Sequence, residues 1–344
     1  MNLKASRNNH RGAPTSLGAM ALLLLAAGAA RGQTQLSPAQ ITAESQSRVA
    51  AFDVLSGDYG LSGGSYQGQN DAKISVSKFG GMGDIGLGEL GGPAPLGNTG
   101  IAWQPRLQGS MGYSTIDRTY YQNTSVTVNG TTYNLDKDEN KYQTFAIQFG
   151  GGARFWFNDS LSFTPTIMGM YGNTRNTYYV NGGGLTPSDY TTLKNAGLIG
   201  WRVDTWTIRP AGELSYIYTL GRTIFTLSSD GTYYYTESFS SSNPNFSLSS
   251  PGECWENKLD VDVPLGVEVF GHELRTGGYF SRTEFYGDLK DGLNAGHMYE
   301  AHGRLTLDFL GQLWKVQWLG LGYSYLWGDN FHGFTYGADV AFRF

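Results

Sequence analysis

Residues 142–157 read YQTFAIQFGGGARFWF, and the order of these letters decides what the chain can be. Phe145, Ile147, Phe149, Gly151, Ala153, Phe155 and Phe157 share one parity; Thr144, Gln148, Gly152 and Arg154 share the other. A period of two belongs to a β-strand, whose side chains point alternately to opposite faces. The pattern recurs. In 101–113, Ile101, Trp103, Leu107, Met111 and Tyr113 oppose Gln104, Arg106, Gln108 and Ser110. In 206–218, Trp206, Ile208, Leu214, Tyr216 and Tyr218 oppose Thr207, Arg209, Glu213 and Ser215. In 259–269, Leu259, Val261, Val263, Leu265, Val267 and Val269 oppose Asp260, Asp262 and Glu268. In 299–309, Tyr299, Ala301, Leu305, Leu307 and Phe309 oppose Glu300, His302, Arg304 and Asp308.

Composition agrees with a mostly β chain. Among 344 residues there are 49 Gly, 22 Tyr and 18 Phe, and charged residues are only 15%. Exposed helix faces need the Lys, Glu and Ala that are scarce here, whereas aromatic and β-branched residues suit strands. A soluble β-sandwich would also alternate, but its inner faces would favour compact Leu, Ile and Val. Here Trp, Tyr and Phe gather near strand ends, where a lipid interface places aromatic girdles. After residue 32 there is no apolar run long enough for a helical span. A membrane-spanning chain without such helices must close its strands into a barrel, because lipid pairs with no backbone N–H or C=O. The fold expected is all-β: a transmembrane antiparallel up-and-down barrel of about 12 strands, with ten or fourteen as alternatives. A net charge of −5 argues against nucleic-acid binding, which needs clustered Lys and Arg. The single cysteine, Cys254, excludes an internal disulfide.

Residues 1–32 carry the marks of a secretory signal peptide: Lys4, Arg7 and Arg11, then an apolar stretch from Leu17 to Ala30, then small Ala30 and Gly32 before Gln33. The mature barrel is expected over 47–344, preceded by a segment, 33–46, that could plug the lumen. Residues 37–51 suit a helix capped by Ser37 with Pro38 at its first position. Eleven strands can be placed from residue 71 onward, and a twelfth is expected near 48–56, ahead of the Gly/Ser-rich 57–68. The sequence leaves helix and first strand both open. Short connections are expected at 158–160, 220–222, 271–272 and 310–312. Long polar loops are expected near 115–141, 174–198, 238–256 and 286–297. A bulge is expected between Trp318 and Leu319, where the apolar parity switches.

The last eleven residues, FTYGADVAFRF, put Phe334, Tyr336, Ala338, Val340, Phe342 and Phe344 on one face. In this the chain resembles bacterial outer-membrane barrels, which commonly end in such a strand with a terminal Phe. The resemblance implies a Gram-negative outer-membrane location and recognition of Tyr336, Ala338, Val340, Phe342 and Phe344 by the barrel-assembly machinery. The stretches 209–218, 223–235 and 321–344 are further similar to the solitary, autotransporter-like outer-membrane β-domains, over roughly residues 45–344. That resemblance implies a barrel with a structural or surface-interaction role and no passenger. Its partners would be outer-membrane lipid, lipopolysaccharide and surface ligands. A porin-like channel for small solutes is the alternative, and an outer-membrane enzyme a further one.

Chemistry is thinly represented. Gly81-Met-Gly83-Asp-Ile-Gly86 imitates a dinucleotide fingerprint, but more Gly and Pro follow where a helix is required, so a glycine-rich turn is expected. Asp136-Lys-Asp138-Glu-Asn140 imitates a calcium loop without its glycine and closing glutamate, so a solvated acidic loop is expected. His297, Glu300 and His302 form the one His/Glu cluster, and two parities divide it. No catalytic, metal or cofactor site is expected. The remaining candidates are the charges assigned to the lumen: Arg106, Arg154, Arg209, Glu213, Asp260, Asp262, Glu268, Glu300, Arg304 and Asp308. They could pair into an internal network or line a water-filled pore.

Overall fold

The computed structural model describes residues 34–57, 61–67, 73–85, 87, 93–120, 124–182, 184–313, 316–329 and 332–342. The expected signal peptide and Phe344 lie outside them. The alternating segments become twelve strands: β1 (Leu61–Gln67), β2 (Lys73–Asp84), β3 (Ala102–Thr119), β4 (Glu139–Trp156), β5 (Leu161–Tyr179), β6 (Arg202–Leu220), β7 (Thr223–Ser241), β8 (Ser249–Val269), β9 (His272–Gly287), β10 (His297–Leu313), β11 (Val316–Gly328) and β12 (His332–Phe342). Each pairs antiparallel with its sequence neighbours, and β12 returns to β1 through Ala338↔Leu61 and His332↔Gln67. The ring therefore closes and leaves no edge for another chain to pair with.

Connections of a few residues lie at one end, as between β4 and β5 or β6 and β7. The other end carries longer segments, including helix α2 (Pro187–Asn195), helix α3 (Asp288–Leu293) and a small sheet of Thr34–Leu36, Thr124–Val128 and Thr131–Asn134. In outer-membrane barrels the short turns face the periplasm and the long loops face outward. The strands run further toward the loop end than their apolar lengths suggest. Residues expected in the loops 115–141, 238–256 and 286–297 partly continue the ladders, to Thr119, Ser241 and Gly287. Above the membrane the ladder needs no apolar face, so the hydrophobic pattern stops before the strand does. The link expected at 310–312 is strand, since β10 continues to Leu313. The expected bulge falls between Val316 and Trp318.

Two expectations are corrected. The strand expected near 48–56 is helix: α1 runs Pro38–Gly57, into the stretch assigned to the barrel from residue 47. Ser37 and Gln40 form a reciprocal capping box at its start, with bonds of 3.2 and 2.8 Å. The first strand is instead Leu61–Gln67, inside the Gly/Ser-rich stretch. Its sequence has weak strand character; the ladders on either side, to β12 and β2, hold it. The glycine-rich turn near 81–86 is also strand as far as Asp84. Gly80 lets β2 approach β3: a Cβ there would lie 2.2 Å from that of Ser110.

The barrel inverts the usual distribution of polarity. Phe149, Ile167, Leu214, Leu227, Leu259, Leu305 and Leu321 are exposed, while Thr144, Gln148, Thr164, Thr174, Thr205 and Thr207 are buried. Water would not tolerate so continuous an apolar wall; hydrocarbon would. On β6 the outward aromatics Trp206 and Tyr216 bracket about ten residues of strand. At roughly 3.3 Å each and a tilt near 40°, these span about 25 Å, the height of an outer-membrane apolar band.

Candidate functional site

The inner face is occupied differently at its two ends. At the loop end, α1 lies inside the ring. Val49 and Ala50 pack with Ile74, Val76, Ile116, Tyr142, Trp201 and Phe246 in one buried cluster. Trp201 is stacked on Phe246 at 3.9 Å between ring centroids. Ile41 packs with Tyr120, Val126, Leu193 and Leu198 from the outer cap. Ala51 meets Tyr234 and Leu289. Gly292 admits the helix backbone, for a Cβ there would fall 2.2 Å from the Ser47 carbonyl oxygen.

Polar contacts fix the helix in register. The Ser45 and Tyr142 hydroxyls are 3.2 Å apart, and Gln46 donates to the Ser247 carbonyl. Glu44 receives Arg48 from its own helix and Arg118 from β3. Burial opposes ionisation of Glu44, but the two arginines outweigh it and hold the carboxyl below its usual range. Asp53 has no such help. It is fully buried; the Thr205 hydroxyl donates to its Oδ2 at 2.5 Å, and its Oδ1 has no partner. Burial pushes this carboxyl up to about 7, the threonine bonds offsetting it only in part. Gly172 makes the space: a Cβ there would meet Asp53 Oδ1 at 2.4 Å.

Toward the short-turn end the inner face carries charge. Asp84 takes a two-bond grip from Arg106, 2.6 and 3.0 Å, and lies 3.2 Å from Arg154. Glu213 is 3.7 Å from Arg106. Arg209 reaches Gln148 at 3.5 Å and covers the Tyr234 ring. Arg304 grips Asp260 with two bonds, 2.5 and 2.8 Å. Asp262 binds Arg275 at 2.7 Å, and Arg275 continues to Glu273, 3.1 Å away. Glu300 accepts from the Tyr279 hydroxyl at 2.7 Å. Asp308 and Glu268 both stand opposite Glu273 in their ladders, with Glu268 exposed near the rim. Three partners escaped the sequence reading: Asp84, Arg275 and Tyr279. Asp84 was hidden by the glycines around it, although its ladder partner is Arg106 itself.

The candidates for chemistry disperse. His302 stacks on Tyr279 at 4.6 Å and lies 2.8 Å from Ser324 Oγ, while His297 lies 3.3 Å from Asp329. Among the described residues no three His, Cys, Asp or Glu side chains converge as a metal site would require. The acidic run 136–140 is not a solvated loop. Asp138 is fully buried, accepting the N–H groups of Asn181 and Gly182 and the Tyr178 hydroxyl. It clamps the outer cap, a role for which spacing gave no signal. At the chain's end, Tyr336 is exposed on the outer wall and Ala338 partly so. Val340 and Phe342 pair with Leu319 and Val316.

Comparison with known proteins agrees with this architecture. No curated protein matches the sequence. The β-domain of the Bordetella autotransporter BrkA is similar in fold, with a TM-score of 0.51 at 15% identity, over 82% of this chain and 96% of that one. The translocator domain of the autotransporter NalP from Neisseria meningitidis gives 0.48 at 11% identity, over 82% and 86%. The model of the solitary outer membrane autotransporter β-barrel domain family matches residues 94–336, and the chain belongs to that family.

Proposed function

We propose that the protein is a closed surface platform in the bacterial outer membrane: a barrel whose lumen is stoppered by α1 and whose loop end presents a rigid cap to the outside. One observation carries this reading, the packing of Val49, Ala50 and Ala51 of α1 into buried clusters shared with the barrel wall and loops. A conducting pore would line that passage with water and polar groups; here Trp201 and Phe246 close on the helix. The charges below the helix serve this reading as paired wall supports, since the carboxylates Asp84, Asp260 and Asp262 are each held by an arginine. The partners proposed are outer-membrane lipid, surface ligands met by the cap, and an assembly machinery that reads the last strand. No catalytic step is proposed.

Planar-bilayer recording of the full chain tests this reading. The expected result is no large steady conductance, with one appearing when residues 34–57 are deleted. A large steady conductance from the intact chain would overturn the proposal in favour of a channel.

A further inference from the structure

On the outer wall at the loop end, β5 and β6 bring two arginines face to face. Arg175 and Arg202 are direct partners across the antiparallel ladder, and both are exposed. Like charges in that position repel, so the pair costs stability unless an anion sits between them. Lys194, from the last turn of α2, joins them at a cleft of 480 Å³ that also includes Asn173, Tyr190 and Trp201. The buried Trp201 Nε1–H has no acceptor in the protein. One carboxylate stands close: Asp204, 3.7 Å from Arg202, already engaged by Tyr171 and Asn173. Among the described residues no carboxylate pairs with Arg175 or Lys194. Of the three cations, only Arg202 thus has an acid beside it.

Height fixes what can approach. Tyr171 and Trp206 form the outward aromatic rung of the same two strands, the level of the lipid interface. Arg175 and Arg202 stand four rungs further out, about 10 Å higher once strand tilt is counted. Their side chains leave the wall toward the headgroups of the outer leaflet, not toward the lumen. We propose that this cleft binds the phosphorylated sugar headgroup of an outer-leaflet glycolipid. The guanidinium groups clamp a phosphate as paired donors, Lys194 adds a point charge, and Asn173 and Tyr190 offer hydrogen bonds to the sugar. The site lies outside the barrel and does not depend on whether the lumen conducts.

The test uses the full chain in maltoside micelles, titrated with diphosphoryl lipid A, dephosphorylated lipid A and a deacylated phosphorylated core oligosaccharide. Wild type should prefer diphosphoryl lipid A. The triple variant Arg175→Gln, Lys194→Gln, Arg202→Gln should bind it ~100-fold more weakly, the sum of three surface cations near an anionic leaflet. Dephosphorylated lipid A should bind wild type as weakly as the triple variant binds the intact lipid. Unchanged affinity in the triple variant would overturn the site. Equal binding of the deacylated oligosaccharide would overturn the leaflet assignment. Thermal unfolding supplies a check independent of affinity. In micelles without glycolipid, Arg175→Gln should raise the midpoint by relieving repulsion; with diphosphoryl lipid A present it should lower it. A lowered midpoint in both conditions would make the pair structural and defeat the proposal.

Discussion

The two ends of this lumen solve opposite problems with the same strands. Toward the loops the inner face is packed as in a water-soluble protein, with Trp201, Phe246, Val49 and Val203 excluded from solvent. Toward the short turns that face is held by arginines and carboxylates, and the apolar residues have moved to the outer wall. The boundary follows the solvent outside. Where hydrocarbon surrounds the wall, apolar side chains are drawn outward and the lumen takes the polar parity. Where water surrounds it, the usual preference returns and a core can form within the ring, provided that something fills it. Helix α1 is that filling.

The sharpest way to break the contrast is to remove one support from each end. Trp201→Ala removes a fully buried ring from the upper cluster and should cost ~3–5 kcal/mol. Asp84→Ala leaves Arg106, which is only 5% exposed, without its two-bond partner and should cost ~3 kcal/mol. Unfolding in urea from micelles measures both. The conductance should differ in kind: the Trp201 variant should leak, because its loss loosens the stopper, whereas the Asp84 variant should stay closed.

Asp53 sharpens the comparison from within the helix. Its carboxyl sits near 7 when docked and returns to the ordinary carboxylate range near 4 when released into water. The docked form binds the extra proton, so docking is strongest below pH 4. It weakens as pH rises from 4 to 7, and the loss is complete above 7. A shift of this size corresponds to roughly 4 kcal/mol. The buried Ile41, Val49, Ala50 and Ala51 and the Glu44–Arg118 pair oppose that loss, so the stopper should stay docked throughout but be firmest in acid and looser in mild alkali. Amide exchange across α1 should accelerate between pH 5 and pH 8 beyond its intrinsic pH dependence. Asp53→Asn should abolish that excess.

The outer wall was the part most legible in sequence, and it yields the next prediction. Ile167 is 60% exposed at mid-band, and Ile167→Arg should cost ~2–4 kcal/mol in folding into lipid. Alternation gave this wall because one face of every strand meets a uniform solvent, so parity alone assigns the residues. The same alternation gave the positions of Arg106, Arg304 and Asp260 but not their pairings, which need the ladder registers. Asp84 was lost because glycines read as a turn, although Gly80 is there to let two strands touch. The first strand, 61–67, was lost because its sequence barely prefers to be one; ring closure supplies the preference. The Arg175–Arg202 pair was invisible for a different reason: the residues lie 27 apart in sequence and become neighbours only in the ladder.

The smallest effect expected concerns how the helix begins. Ser37 accepts the Gln40 N–H, and the Gln40 side chain accepts the Ser37 N–H, so each satisfies a backbone donor that the first turn leaves over. Ser37→Ala removes half of this exchange and should cost ~1 kcal/mol. In a helix whose docking were worth many times that, the change would be silent. Here ionisation of Asp53 already removes part of the docking as pH rises, so one further kilocalorie should be visible in the exchange. It should appear as a shift of the amide-exchange onset toward lower pH, because less Asp53 ionisation is then needed to free the helix. The pH shift should vanish in the Asp53→Asn background, where no carboxyl titrates at that position. If Ser37→Ala shifts the onset equally in both backgrounds, cap and carboxyl act on separate events, and the docking of α1 is not governed by Asp53.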